Sequence, residues 1–187
     1  RFFPDEEFQA FCQREAYWLE DYCLFQALKN SQGGKPWTEW EDGLRTRDAE
    51  ALEEASQQLS EEIDFFCFLQ YKFWQQWKKL KSYAHKKGVR IIGDLPIYVA
   101  IDSADAWANP RLFQFDEDHR PSAIAGCPPD AFSATGQMWG NPLYDWDYHE
   151  KTGYRWWIQR MKKSFELYDT VRMDHFRGFA EYYSIPC

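Results

Sequence analysis

The sequence has no apolar stretch long enough to span a bilayer, so nothing in it reads as a transmembrane helix. It also has no glycine-rich phosphate loop, neither G-x-G-x-x-G nor G-x-x-x-x-G-K, which counts against a doubly wound nucleotide-binding sheet. Four scattered histidines make no H-E-x-x-H or comparable spacing, and neither a metal site nor another cofactor is expected. Basic residues are the minority: 22 Lys and Arg stand against 30 Asp and Glu, for a net charge of −8, and neither sign forms a long block. Nucleic acid and anionic membrane are poor partners for such a chain. The five cysteines, Cys12, Cys23, Cys67, Cys127 and Cys187, are odd in number and widely spaced, with no C-x-x-C. They read as buried thiols of a reducing compartment. The first residues, Arg1 to Asp5, make no signal peptide, so the expected location is cytoplasmic. No starting Met is present, and the chain stops at Ile185-Pro186-Cys187, which reads as a piece of something longer.

Aromatic rings, by contrast, are abundant. Ten Trp, eleven Tyr and fifteen Phe make up 19% of the 187 residues, more than a core of this size needs, so some rings are expected to face a ligand with flat apolar faces, such as a sugar. For any single ring, core filling is the simpler reading. Apolar residues at helical spacing predict one helix over residues 4–30. A second, long helix is predicted over 49–87, broken near Ser60 and capped by Gly88, and a third over 154–168. The second helix leads into a β-branched run, 89–92, followed by a loop with Asp94; the third leads into a strand, 169–174, tipped by Asp174. Residues 37–48 look irregular. Residues 100–150 are rich in Pro, Gly, Asn and Asp, with one hairpin expected over 112–125 turning at 116–118, and they are too long for an ordinary connection. Helix feeding strand twice over implies parallel α/β units, and the fold class is read as α/β: a partial (β/α)8 TIM barrel with a long loop-rich insertion between two strands. In such barrels the chemistry lies at the C-terminal strand ends, where Asp94 and Asp174 fall.

Strand alternation puts Arg172 and Asp174 on one side and Val171 and Met173 on the other. In a partly buried site the guanidinium would hold the carboxylate ionised, the state that a covalent glycosyl-transfer nucleophile requires. By spacing alone, a structural ion pair at a strand end is at least as good a reading of R-x-D.

The longer string Val171-Arg-Met-Asp-His-Phe-Arg-Gly-Phe179 resembles the nucleophile strand of the 4-α-glucanotransferases, the amylomaltase or disproportionating-enzyme family, whose usual form is R-[IL]-D-H-F-R-G, with Met173 at the variable place. The resemblance extends through three further strings: Gly88-Val-Arg-Ile-Ile-Gly-Asp-Leu-Pro-Ile-Tyr-Val99, Asp102-Ser-Ala-Asp-Ala-Trp-Ala-Asn-Pro110 and Gly126-Cys-Pro-Pro-Asp-Ala-Phe-Ser-Ala-Thr-Gly-Gln-Met-Trp-Gly-Asn-Pro-Leu-Tyr-Asp-Trp146. It implies that Asp174 is the nucleophile and Arg172 its electrostatic partner. His175 and Asp94 would bind hydroxyls of the transferred sugar. Residues 128–136 would form an active-site lid carrying Asp130 and Phe132, and Gln137 and Trp139 would line the acceptor side. The implied ligands are maltooligosaccharides or other α-1,4-glucans. A retaining mechanism needs a second carboxyl group roughly 5 Å from the nucleophile. The family supplies it as a Glu at the end of the next strand, with a further Asp later. One α/β unit takes on the order of 30 residues, whereas this chain ends thirteen residues after Asp174, so both groups are expected outside it. Glu181, the sole carboxylate downstream, sits in the loop after the strand and is a poor substitute. The 187 residues alone would then be inactive, or would serve as a non-catalytic glucan-binding module.

Overall fold

The computed structural model describes residues 5–131 and 133–187, and they fall into two compact units that divide between Tyr83 and Ala84. The first unit is helical. Helix α1 (Glu6–Ser31) starts at Asp5, whose carboxylate accepts the Phe8 N–H at 2.8 Å, and Glu6 and Glu7 sit in the favoured first turn. Pro4, expected as the helix start, lies outside the described residues. The stretch 37–48, expected to be irregular, contains a 3-10 turn (Trp37–Glu39) and a short helix α2 (Asp42–Arg45). Helices α3 (Ala49–Gln58) and α4 (Ser60–Lys86) follow, separated at Leu59, so the break falls one residue before Ser60. Asp48 caps α3 by accepting the N–H groups of Glu50 and Ala51. Phe8, Phe11, Leu19 and Cys23 of α1 pack with Tyr71 of α4, and Cys67 and Trp74 close the cluster. Each such ring, fully buried, stabilises the pairing by about 2–3 kcal/mol.

The second unit carries the five strands found among the described residues: β1 (Ile92–Leu95), β2 (Ala123–Cys127), β3 (Gln137–Pro142), β4 (Thr170–Met173) and β5 (Tyr183–Pro186). Between them lie helices α5 (Ala104–Ala108), α6 (Trp146–Lys151) and α7 (Arg155–Leu167). Strands β1 and β4 pair in parallel, with Asp94 opposite Arg172. The first strand begins three residues later than its β-branched run predicts. The reason is Asp169: its carboxylate accepts the Ile91 N–H at 2.8 Å and holds His85 at 2.9 Å, while its own N–H donates to the Ile91 carbonyl. Val89 and Arg90 are thereby left as an exposed link, and Asp94 lies inside the strand, not in a loop beyond it. Gly93 is required at this point. A Cβ there would meet the ring of Tyr168, the residue that ends α7, so glycine lets the helix end press against β1.

The hairpin expected over 112–125 forms over its inner part, 114–122, where the Ser122 N–H donates to the Gln114 carbonyl at 2.9 Å. A turn closes where the Asp116 N–H donates to the Arg120 carbonyl, and one bridge joins Phe115 to Pro121. Residues 123–127 instead pair antiparallel with β3 and β5, a contact with β5 that no local pattern announces. Helices α5 and α6 are likewise additions to the sequence reading, each begun by a capping side chain, Ser103 and Asp145. The core of this unit gathers around Tyr144, which stacks on Phe113 at 5.3 Å and Tyr98 at 6.0 Å and meets Trp157 edge-on at 5.2 Å.

Candidate active site

Three charged side chains meet where the two parallel strands end. Arg172 lies between two carboxylates: its Nε is 3.1 Å from Oδ1 of Asp94, and its Nη2 donates to Oδ1 of Asp174, also at 3.1 Å. The geometry follows from the register. Asp94 and Arg172 are cross-strand partners, so their side chains leave the sheet on one face, and Asp174 follows two residues on. The Asp174 N–H donates to the Leu95 carbonyl at 3.0 Å, which carries the pairing of β4 one step past its end and fixes the carboxylate's root. The alternation expected of 171–174 is present: Val171 and Met173 are half-buried, whereas Arg172 and Asp174 are open. The site is more exposed than the partly buried one anticipated. The Asp94, Asp174 and Arg172 side chains are 57, 55 and 65% exposed, because only two strands of this sheet stand beside them.

Directly after Asp174 the backbone turns left-handed at His175, with φ +48°, and enters a 3-10 turn, Phe176–Phe179. Gly178 makes room for the imidazole. A Cβ at that position would lie 2.7 Å from His175 Cδ2 and 2.9 Å from Ile97 Cδ1. The His175 ring then meets Trp139 edge to face at 5.1 Å and Tyr98 at 6.3 Å, and Tyr98 and Trp139 lie 6.3 Å apart. Three segments distant in sequence therefore bring their rings together at one corner. On β3, Gln137 Oε1 accepts the indole N–H of Trp139 at 2.9 Å, which fixes the tilt of that ring.

Of the eight residues singled out from sequence, the structure gathers Asp94, Arg172 and Asp174 in one ionic group and Gln137, Trp139 and His175 in an adjoining aromatic one. Asp130 sits in a turn of its own: its carboxylate accepts the Ser133 N–H at 2.8 Å, and the Ser133 hydroxyl donates to the Gly136 carbonyl. Phe132 lies outside the described residues. Glu181 is taken up by Arg177 at 2.7 Å on an exposed surface. Among the described residues no group of His, Cys, Asp and Glu is arranged to hold a metal ion, and no helix is long and apolar enough to cross a membrane.

Sequence reasoning missed the residues that support this corner. Tyr98 is almost wholly buried, and that burial pushes its phenol up to about 12. The segment carrying it is held from three sides. Arg160 of α7 donates from Nη2 to the Pro96 carbonyl at 2.8 Å and from Nη1 to the Ile97 carbonyl at 2.9 Å. The Tyr144 hydroxyl also donates to the Ile97 carbonyl, at 2.6 Å, and the Asn141 amide donates to the Val99 carbonyl at 2.8 Å. The signal available was Pro96 itself. A proline directly after a strand ends the ladder and leaves neighbouring carbonyls that need donors from elsewhere.

A family profile described as 4-alpha-glucanotransferase matches residues 3–187. A 4-alpha-glucanotransferase of Thermus thermophilus is 55% identical over 181 residues, covering 97% of this chain and 36% of its own length. One from Clostridium butyricum is 50% identical, with 97 and 37% covered. The solved amylomaltase of Streptococcus agalactiae, in complex with acarbose, superposes with a TM-score of 0.92 at 46% identity over 96% of this chain and 36% of that one. The chain thus spans about a third of the length of these relatives.

Proposed function

The chain belongs to the 4-alpha-glucanotransferase family, and from that premise we propose that the whole protein cuts an α-1,4-glucan and passes the glycosyl segment to a hydroxyl of another glucan. The observation that carries the reading is the Arg172 fork between Asp94 and Asp174 at the C-terminal ends of two adjacent parallel strands. In this reading β1 and β4 are strands of a partial (β/α)8 barrel, and residues 100–150 form an insertion between them whose turn at 128–136 acts as the lid.

Asp174 attacks the anomeric carbon of the bound sugar and forms a covalent glycosyl intermediate. Arg172, bonded to one of its oxygens, orients the carboxylate and leaves the other free to react. Asp94, held by the same guanidinium, accepts hydrogen bonds from hydroxyls of that sugar, and His175 does the same from the neighbouring turn. The leaving oxygen is protonated by a carboxylic acid that the rest of the protein supplies. In the second step that group, now a base, takes the proton of the acceptor hydroxyl as it attacks. Trp139, backed by the buried ring of Tyr98, offers a flat face to the sugars of the acceptor side, where Gln137 holds the indole in place and Asp130 and Phe132 close from the lid. A rigid aromatic corner that excludes water favours the acceptor sugar over hydrolysis. The similar amylomaltase with acarbose is in keeping with a carbohydrate ligand. The five thiols are not all buried as the sequence suggests, since Cys23 alone is buried and Cys187 is exposed, but all are free, which suits a cytoplasmic protein. The 187 residues alone supply no acid for the leaving oxygen and are inactive in this account.

The test is product analysis. Full-length protein incubated with maltotriose should release glucose and build a ladder of longer maltooligosaccharides. Glucose and maltose with no longer product would mean hydrolysis, and no change at all would remove the enzymatic reading.

A further inference from the structure

We propose that the helical unit contains a redox-modifiable thiol cluster in which Cys67 and Cys23 form a reversible disulfide on exposure to a peroxide, with Cys12 as the third sulfur. The sulfurs of Cys23 on α1 and Cys67 on α4 lie 3.2 Å apart. A disulfide bond is about 2.05 Å long, so closure asks for roughly 1.2 Å, a distance that small side-chain rotations can supply. Cys12, also on α1, lies within hydrogen-bonding reach of the same Cys67 sulfur, so Cys67 is the centre of the group.

The three thiols differ in character. Cys67 donates its S–H to Cys23 while protonated; once it ionises, the S–H groups of both neighbours turn to it, and these outweigh burial and the nearby Asp64 carboxylate, drawing its thiol below the ordinary range. Cys23 is pushed up by its bond to Cys67 and by its complete burial; Cys12 is raised to about 11, chiefly by burial. The half-buried sulfur is therefore the nucleophile, and the fully buried one keeps its proton until it is needed.

The chemistry balances with hydrogen peroxide as the oxidant. The Cys67 thiolate attacks one peroxide oxygen, the O–O bond breaks, and the departing hydroxide takes a proton to become water. Cys67 is then a sulfenic acid. The Cys23 sulfur attacks it, the S–O bond breaks, and the leaving hydroxide takes the Cys23 proton to become a second water. Two thiols have lost two electrons and the peroxide has gained them. The product ties α1 to α4 between residues 44 apart in sequence, and a dithiol reductant reverses it by exchange. None of this depends on the glucan reading.

The experiment uses the full-length protein at neutral pH with equimolar hydrogen peroxide, quenched in denaturant with iodoacetamide and digested without reduction. The expected result is a Cys23 peptide joined to a Cys67 peptide, lighter by two hydrogens than the pair, in protein that stays monomeric on a non-reducing gel and is restored by dithiothreitol. Cys67→Ala should leave Cys12 and Cys23 both alkylated. Cys23→Ala should divert Cys67 to a Cys12 linkage or to sulfinic acid. Wild-type protein in which Cys67 is oxidised while Cys23 remains fully alkylated would overturn the proposal, as would exposed Cys187 being consumed while both cluster thiols stay intact.

Discussion

Replacing Arg160 with Met tests whether the wall behind the candidate site is held as described. Methionine keeps an apolar stem against Trp156 and Trp157, whose rings lie 5.2 and 5.0 Å from the guanidinium carbon, but removes every donor. Three hydrogen bonds go: to the carbonyls of Pro96 and Ile97, and to the Tyr144 oxygen at 3.3 Å. Bonds from a charged donor contribute about 1.5–3 kcal/mol each when buried. The losses here are smaller. The Ile97 carbonyl keeps the Tyr144 hydroxyl, and the Pro96 bond is exposed, so water can take the place of the guanidinium. A destabilisation of about 2–3 kcal/mol results, with roughly half of it from the cation–π contacts. Freed of two ties, the 96–99 segment would let Tyr98 drift from Trp139 and His175, so transfer from maltotriose should fall about tenfold in kcat/KM. Arg160→Lys, with one donor group, should recover part of both losses. The assay pairs a urea melt with steady-state transfer kinetics on the full-length protein. An unchanged midpoint together with unchanged kinetics for Arg160→Met would show that other contacts hold this segment.

Gly93→Ala places a methyl group in the Tyr168 ring and should cost about 1–3 kcal/mol, relieved by a second change, Tyr168→Leu; a urea melt of the single and double variants checks it. His149 is fully buried, its Nδ1 has no hydrogen-bond partner among the described residues, and burial draws its titration below the ordinary histidine value. Because the folded value is the lower one, the unfolded chain binds the proton first as pH falls. Stability is fully present above about pH 6.5 and declines below it by at most about 1.4 kcal/mol per unit. A His149→Gln variant should lose that part of the slope in melts between pH 7 and 5, and an unchanged slope would contradict the assignment.

Long-period signals were the legible ones. Helix α1, the long α4 with Gly88 after it, and α7 were all readable, since each repeats its apolar face over three turns or more. The parallel partnership of β1 and β4 was also legible, from two helices each feeding a short strand that leads to Asp. What failed was short or non-local. Strand β1 has four residues, and its limits are set by Asp169, seventy-eight residues from Ile91, not by its own β-branched run. Strand β2 takes β5 as a neighbour, sixty residues away in sequence, for which an apolar run of five residues carries no code. In the site, the charged residues were found because R-x-D at a strand end has a chemical reading and the longer string a family one. Asn141 and Arg160 were missed because their work is done through backbone carbonyls, which leave no mark on sequence spacing, and Tyr98 because its ring packs on rings from distant segments.

The central claim is that Asp174 is a nucleophile and not one half of a structural ion pair. Its partnership with Arg172 is more than half exposed, and such pairs contribute about 0–1 kcal/mol, so Asp174→Asn should barely move the melting curve. Loss of a covalent nucleophile is a different scale of event: a thousandfold or greater fall in rate, on the order of 4 kcal/mol in the barrier. The direct measurement is maltotriose disproportionation by full-length Asp174→Asn, followed by released glucose, beside a thermal melt of the same sample. The account predicts a wild-type melt with transfer reduced at least a thousandfold. Transfer at the wild-type rate in a well-folded variant would contradict it.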